Sequence, residues 1–214
     1  YNNWQLTHQL LLDLYKVIPP DVEIVVADDC STQWETRSGL EWWGSRMLEG
    51  RLKVVRPEKN VGFLLNANNG VKNSEGEIVI LLNNDVRVNE NFIPKVEEAL
   101  KTDEVPALAG GTLWNVDTGW NRFGNTIFPS LGGWFLAFRR TDWDRFGGFD
   151  ERFIPYDFED VDISTTYLKS GGRLVALDVN MQHISGQSIH NSPERQLQTK
   201  INQKKFQDKW CKGE

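Results

Sequence analysis

The stretch GEIVILLNNDV, residues 76–86, joins an apolar run to a polar end that carries a carboxylate. Its five apolar residues, 78–82, stand between a glycine and an Asn pair, which is typical of a strand buried on both faces of a parallel sheet. Ligands of open α/β sheets bind just beyond the carboxyl ends of such strands. The oxygens of Asn83, Asn84 and Asp85 are therefore placed to bind a divalent cation or a sugar, although an Asx-rich turn would show the same pattern.

Helix and strand patterns alternate through the first half of the chain. Apolar residues at helical spacing fill residues 4–17, and a buried strand over 22–27 follows them. A second amphipathic segment, a short strand over 52–55 and another helix lead up to the 78–82 strand, and a helix over 91–101 comes after it. This alternation predicts an α/β fold with a mostly parallel sheet and helices on both faces.

The composition is that of a globular domain with an acidic balance. Of the 214 residues, 39% are hydrophobic and 25% are charged, and the formal net charge is -6. We expect no nucleic-acid binding, because there is no basic run to neutralise phosphates. No apolar run is long enough to span a bilayer and no signal peptide precedes Tyr1, so we expect a cytoplasmic protein.

The two cysteines, Cys30 and Cys211, lie far apart and lack the spacing of metal ligands. They indicate two free thiols in a reducing compartment, although the sequence also allows a disulfide between them.

Four clusters of polar or acidic side chains stand at predicted strand ends or helix starts. They are Asp28-Asp29, residues 83–85, residues 159–162 and Gln182-His183. Carboxylates that share one cleft repel each other, and a divalent metal that also holds a diphosphate is the simplest way to offset their charge. Any one cluster could equally be a helix cap or a solvated turn. Combined in this order, they indicate a phosphate-handling site.

The order of these segments resembles that of nucleotide-sugar glycosyltransferases with the GT-A fold, in particular the inverting family 2 and its rhamnosyl- and galactofuranosyltransferase-like branch. The resemblance covers essentially residues 1–190. It rests on EIVVADDCS (23–31), NVGF (60–63) with NNG (68–70), LNND (82–85), Gly132-Gly133, GGFDERF (147–153), EDVD (159–162) and His183 with Gly186 and Ser188.

This resemblance implies one GT-A domain over residues 1–192, built on a Rossmann-like sheet flanked by helices. Residues 1–105 would form the nucleotide-binding half, and residues 106–192 would form the acceptor and catalytic half. The remaining residues, 193–214, are expected to form a helix that packs on the domain or extends it.

That last helix is polar, with three apolar residues that we expect to dock it on the domain: Leu197, Ile201 and Phe206. It also carries Lys200, Lys204, Lys205 and Lys209. These lysines could make peripheral contact with the inner face of a membrane, where lipid-linked acceptors lie, although a solvated helix face gives the same pattern.

For the donor, the resemblance implies a nucleoside diphosphate sugar linked to UDP, dTDP or GDP. Asp28 or Asp29 would accept a hydrogen bond from the ring N–H of the base. Asn60, Gly62 and Asn68 would line the nucleotide side of the cleft, with Gly62 allowing the backbone to approach closely.

For the metal, the resemblance places Asn83 and Asn84 in the family's Asp-x-Asp motif, so that Asp85 would hold the ion that bridges the diphosphate. His183 resembles the histidine that joins the metal shell in this branch, and an imidazole suits Mn²⁺ better than Mg²⁺. A lone histidine can also be purely structural. Because Asn83 replaces the first acidic residue, we expect weak metal binding or a site for the nucleotide alone.

For catalysis, the resemblance makes Asp160 the general base, which would take a proton from a hydroxyl of a carbohydrate or lipid-linked acceptor. The acceptor oxygen would attack the anomeric carbon and invert it. Glu159 would help to place the acceptor. Trp134, beside Gly133, would offer the acceptor an aromatic platform, although filling the core is the other use of a tryptophan.

One departure concerns the first strand of the family, which ends in Pro-x-Tyr-Asn. This sequence begins at Tyr1-Asn2, so we expect that strand to be missing. The sheet would then show unpaired edges or borrow a strand from a neighbour in a homodimer.

Two other functions fit parts of the pattern. A nucleotidyltransferase also uses an α/β sheet and a metal, but it should carry a basic, Gly-rich phosphate loop near the N-terminus, and none is visible. A nucleotide- or glycan-binding protein with impaired catalysis would explain Asn83 and the missing strand. The presence of Asp160 favours an enzyme.

Overall fold

A computed structural model describes residues 1–101, 104–119, 121–184 and 192–211. Its helices are α1 (Trp4–Val17), α2 (Trp34–Trp42), α3 (Phe63–Lys72), α4 (Ile93–Leu100), α5 (Arg140–Phe146), α6 (Glu159–Lys169) and α7 (Pro193–Trp210). A π-helical turn, Trp43–Met47, continues α2, and a 3₁₀ turn, Glu151–Phe153, precedes α6.

Twelve strands are present in the described residues. They are β1 (Ile24–Ala27), β2 (Leu52–Val55), β3 (Ile78–Leu82), β4 (Val86–Val88), β5 (Ala107–Gly110), β6 (Leu113–Trp114), β7 (Arg122–Phe123), β8 (Thr126–Ile127), β9 (Ser130–Leu131), β10 (Phe135–Arg139), β11 (Arg173–Ala176) and β12 (Met181–His183). The expected α/β class is therefore confirmed.

The central sheet is mixed and has the strand order β11-β5-β10-β3. Strand β11 runs parallel to β5, whereas β10 runs antiparallel to both β5 and β3. Strands β11, β5 and β3 therefore run in the same direction, and β10, which lies between β3 and β5, is the one strand of this described sheet that runs against them. The helix periodicity that precedes β10 carries no information about that reversal.

Two apolar cores lie on opposite faces of this sheet. The first core includes Leu10, Leu11, Trp43 and Val96, and the second includes Leu64, Trp143, Phe153 and Phe206. Strand β10 serves both, because Phe135 and Ala137 point into the first core while Leu136 and Phe138 point into the second. All of its residues are buried, as expected for a strand covered on both faces.

Strands β1 and β2 form a separate parallel pair, so that β1 and β3 are each an edge strand within the described part of the chain. Ile24 and Asp28 donate their N–H groups to the β2 segment, which turns the backbone polar groups of Val25 toward the opposite edge. The antiparallel ladder between β3 and β10 likewise turns the groups of Ile80 away from β10.

The structure records no disulfide between Cys30 and Cys211. Among the helices that the structure describes, none combines the length and the apolar character that crossing a bilayer requires.

Candidate active site

A cleft of about 720 Å³ brings together six of the residues that the sequence predicts for the site. These are Asn83, Gly133, Trp134, Glu159, Asp160 and His183. The other residues that line the cleft are Phe63, Thr112, Trp114, Gly132, Tyr156, Asp157, Met181, Gln182 and Arg195.

Asp160 lies in the first turn of α6 and is held by two backbone donors. The N–H of Gly133 donates to Oδ2 at 3.1 Å, and the N–H of Val161 donates to Oδ1 at 2.8 Å. A Cβ on Gly133 would lie 3.3 Å from the Cβ of Asp160, closer than is usual for such contacts. Gly133 therefore lets the segment before β10 approach α6 closely, and the carboxylate has a fixed orientation.

Glu159 and Asp160 differ in how well their charged forms are solvated. Burial raises the pKa of Glu159 well above its usual range, and the neighbouring charge of Asp160 raises it further. Burial also raises the pKa of Asp160, but hydrogen bonds from the N–H groups of Val161 and Gly133 act in the opposite direction. Oε2 of Glu159 has no hydrogen-bond partner in the described chain. A proton shared by the pair thus belongs on Glu159, with Asp160 ionised.

Asp85 and His183 lie side by side because β12 pairs antiparallel with β4. Nε2 of His183 is 3.3 Å from Oδ1 of Asp85. The two atoms do not form a hydrogen bond, and the buried Oδ1 of Asp85 has no hydrogen-bond partner among the described residues. An imidazole nitrogen and an unsatisfied carboxylate oxygen this close together fit a shared cation.

Trp134 packs its ring against the imidazole of His183. The ring centroids are 5.4 Å apart with an interplanar angle of 11°. This stacking fixes the orientation of His183 and covers one face of the indole. Trp114, which is 47% exposed, stands on the rim of the cleft and offers a freer aromatic surface.

The two carboxylates that follow β1 lie outside the residues that line the cleft, and both are used within the fold. Asp28 forms an ion pair with Arg56 at 2.6 Å and accepts a hydrogen bond from the hydroxyl of Ser31. Asp29 accepts hydrogen bonds from the N–H groups of Val61 and Gly62, at 2.7 and 2.9 Å. Asp29 thereby ties the start of α3 to the end of β1.

Residues expected on the nucleotide side make other contacts. Gly62 has a φ of +88°, and a Cβ there would lie 2.9 Å from the Cβ of Pro155, so it makes room for the protein itself. The side chain of Asn68 bonds both backbone groups of Phe149, at 2.9 and 3.0 Å. Asn68 is not among the residues that line the cleft, and its amide joins α3 to the segment before α6. Asn60 is exposed and outside the cleft lining.

The two asparagines that follow β3 lie in different surroundings. Asn83 lines the cleft, and its N–H donates to the carbonyl of Trp134 at 2.9 Å. Asn84 turns away and donates from Nδ2 to the hydroxyl of Thr7 at 3.1 Å. Gly186 and Ser188 lie outside the described residues.

Three cleft residues whose place in the site the sequence did not indicate lie together: Tyr156, Asp157 and Arg195. Nη2 of Arg195, on α7, lies 2.9 Å from Oδ1 of Asp157, and its guanidinium sits 5.7 Å from the ring centroid of Tyr156. An arginine near the start of a polar helix gives no hint in the sequence that it faces a cleft, since only the packing of α7 brings it there.

Known proteins resemble both the sequence and the fold. A family model described as "Glycosyl transferase family 2" matches residues 1–159. A probable N-acetylgalactosaminyltransferase 7 from Caenorhabditis elegans is 30% identical over 98 residues, which cover 43% of this chain and 16% of that protein. This chain thus spans a small part of its curated relative.

Solved structures agree in fold. The mannosyltransferase PcManGT from Pyrobaculum calidifontis, in complex with GDP-Man and Mn²⁺, has a TM-score of 0.70 and 21% identity, over 88% of this chain and 56% of that one. GalNAc-T7 with UDP, GalNAc and Mn²⁺ has a TM-score of 0.72 and 17% identity, over 93% and 46%. The expected GT-A fold is confirmed, and by the family model the chain belongs to glycosyl transferase family 2.

Proposed function

We propose that this chain transfers a sugar from a nucleoside diphosphate sugar to a hydroxyl of a carbohydrate or lipid-linked acceptor, with inversion. The observation that carries the proposal is the carboxylate of Asp160, which lines the 720 Å³ cleft while two backbone N–H groups fix its direction. Aromatic rings and polar side chains line the same cleft, a combination suited to the faces and hydroxyls of a sugar.

In the proposed reaction, Asp160 accepts the proton of the acceptor hydroxyl as that oxygen forms a bond to the anomeric carbon. The bond between the anomeric carbon and the diphosphate breaks on the opposite side, and the nucleoside diphosphate leaves with the bonding electrons. Fixing the base by Gly133 and Val161 keeps it aligned with the attacking oxygen. Glu159, when protonated, can donate a hydrogen bond without adding charge to the cleft.

Asp85 and His183 are the residues that would hold a divalent metal. Bound there, the metal would offset negative charge on the departing diphosphate. The unsatisfied Oδ1 of Asp85 supports this assignment. The described residues contain no group of three or more His, Cys, Asp or Glu side chains able to share an ion, so other ligands would come from the donor and from water. This count of protein ligands favours weak binding of the metal in the absence of nucleotide.

We propose that the nucleotide base binds at the end of β1, near Asp28 and Asp29. The two solved relatives hold GDP-Man, or UDP with GalNAc, each with Mn²⁺. Titration calorimetry with UDP, dTDP and GDP, each with and without Mn²⁺, tests which nucleotide the chain binds and whether the metal takes part in binding. Binding of one nucleotide that tightens with Mn²⁺ supports the donor site. Binding that ignores Mn²⁺, in a chain that transfers no sugar, favours a nucleotide-binding protein without turnover.

We also infer that one more extended strand lies between β1 and β3. Val26 and Ile80 pack on the same core, and α3 packs against both strands, so the two strands belong to one layer. Oδ1 of Asn66, whose Nδ2 bonds the carbonyl of Ala27, is buried without a hydrogen-bond partner in the described chain.

An apolar five-residue strand tests this inference. Joined ahead of Tyr1, or added as a peptide, it should slow amide exchange at Val25 and Ile80, and a proline-containing version should not. Protection that appears instead with rising protein concentration would indicate a strand from a second copy. Unchanged exchange in every case contradicts the inference.

A further inference from the structure

The last helix, α7, meets the domain largely through polar side chains. Of the three apolar residues expected to dock it, only Phe206 is buried, whereas Leu197 and Ile201 are 62% and 43% exposed. The buried face of α7 instead includes Thr199 and Asn202. Polar groups that are buried must find partners, so these two residues indicate where the helix makes specific contacts.

Asn202 is completely buried and bonds the segment that leads into α6. Its Nδ2 lies within hydrogen-bond distance of the carbonyl oxygens of Phe153, Tyr156 and Asp157, at 2.7, 2.7 and 3.1 Å. Its Oδ1 accepts a hydrogen bond from Gln198 at 3.0 Å. One side chain of α7 thus satisfies carbonyls along a whole irregular segment.

That segment has an unfavourable backbone. Asp157 and Phe158 have φ angles of 71° and 76°, in the left-handed region that non-glycine residues seldom adopt. Such a conformation is strained and persists only where surrounding contacts hold it. Thr199 supplies one such contact by donating to Oδ2 of Asp157 at 2.6 Å, and Arg195 pairs with the same carboxylate. Asp160 follows two residues after this turn.

The contacts of Thr199 and Asn202 form a first anchor of α7, and a second anchor lies at its C-terminal end. Nζ of Lys209 lies 2.8 Å from carboxylate oxygens of both Asp150 and Asp162, and the indole N–H of Trp210 donates to Asp162 at 2.7 Å. Lys209 therefore contacts protein rather than a membrane or solvent. The two anchors bracket the segment that carries Glu159 and Asp160.

We propose that Asn202 is a positioning residue, which holds the turn at 153–158 so that Asp160 enters the cleft in its productive direction. This inference rests on the proposed function. A shift of about 1 Å at a reacting group can cost on the order of 100-fold in rate. Loss of the three carbonyl contacts frees the turn to relax from its left-handed conformation, and Asp160 moves with it.

The test compares Asn202→Ala with two controls. Lys204→Ala alters an exposed residue of the same helix, whose ion pair in the described chain is with Asp208. Val71→Ala removes buried apolar volume from the second core, on α3, and so lowers stability without touching the turn. We expect Asn202→Ala to lower kcat by roughly 10- to 100-fold with KM for the donor nearly unchanged. Both controls should keep kcat near that of the parent chain.

A carboxyl titration followed by NMR gives a readout that does not depend on turnover. The charged groups around Glu159 are Asp157 and Asp160 on its own segment and Arg195 on α7. If the turn loosens in Asn202→Ala, water reaches Glu159 and its titration moves toward that of a free carboxyl, while Val71→Ala leaves it unchanged.

Should Asn202→Ala fail to fold, Thr199→Val removes one bond to the same turn and is expected to show the same changes at smaller size. An unchanged titration and unchanged kcat in the folded variant overturn the inference. A parent chain that transfers no sugar overturns the proposed function instead, and the titration still decides whether Asn202 positions the turn.

Discussion

Nε2 of His183 lies 3.3 Å from Oδ1 of Asp85, and the indole of Trp134 stacks on the imidazole. The pairing of β12 with β4 makes these two residues neighbours, although they are far apart in the sequence. A buried carboxylate oxygen that has no hydrogen-bond partner in the described chain is costly unless a cation can share it. This arrangement supports the proposal that Asp85 and His183 hold a metal ion.

Replacement of His183 by Ala should weaken the Mn²⁺-dependent part of nucleotide binding by about 10- to 100-fold or more, since even partners outside the ligand shell are worth that much. Calorimetric titration of the nucleotide with and without Mn²⁺ measures this effect. His8→Ala is the matched control, because His8 bonds Trp43 and does not line the cleft. An Mn²⁺ effect that survives in His183→Ala contradicts the metal assignment.

Asp160→Asn should lower kcat by about 10²- to 10⁴-fold, because the acceptor hydroxyl loses its base. The affinity for the donor nucleotide should remain near that of the parent chain. Transfer assays and nucleotide titration separate the two effects. Asp144→Asn, which changes an exposed carboxylate on α5, should leave both values unchanged. Full transfer activity in Asp160→Asn would show that another group removes the proton.

Glu159→Gln should stabilise the protein at neutral pH and have little effect near pH 4. Because burial and Asp160 raise the pKa of Glu159, the folded state keeps a proton that the unfolded state has lost, and stability falls as pH rises from the ordinary carboxyl pKa through the raised one. Each pH unit in that window is worth about 1.4 kcal/mol. Thermal unfolding from pH 4 to 8 measures the difference. A difference between the two chains that does not vary with pH would refute this cause.

Gly133→Ala should lower kcat by roughly 10- to 100-fold, because the added methyl presses on the Cβ of Asp160 and displaces its carboxylate. Gly44→Ala is the control, since a Cβ there meets only the side chain of Leu52 at 3.8 Å. Kinetic assays of both variants decide the point. Equal kcat values in the two variants would mean that the contact between Gly133 and Asp160 does not set the reaction geometry.

Trp114→Ala should raise KM for the acceptor by roughly 2- to 12-fold, the equivalent of 0.5–1.5 kcal/mol for one aromatic contact. Its effect on donor affinity should be small, since the ring stands on the rim of the cleft. Trp34→Ala removes a ring that is 75% exposed and outside the cleft lining, and it should change neither value. Initial rates at varied acceptor concentration make the comparison. An unchanged acceptor KM would place the acceptor elsewhere.

Much of the fold was predictable because buried strands appear as short apolar runs and amphipathic helices as apolar residues at helical spacing. Apolar runs gave β1, β3 and their flanking helices, and the motif order gave the family. The antiparallel entry of β10 was not predictable, since a buried strand has the same apolar pattern in either direction. The role of α7 was also missed, because Asn202 in a polar helix is indistinguishable in sequence from a solvated residue.

The sequence by itself determined the residue types that the proposed chemistry requires: a carboxylate at Asp160, a glycine at 133, and Asp85 with His183. These types follow from the sequence because proton transfer, close backbone approach and metal binding each need a particular kind of side chain. Only the tertiary structure decided which of them meet. It placed Asn68 and Asp29 in hydrogen bonds within the fold and brought Arg195 into the cleft. Contacts between residues far apart in the sequence depend on how the elements pack, which the sequence does not reveal.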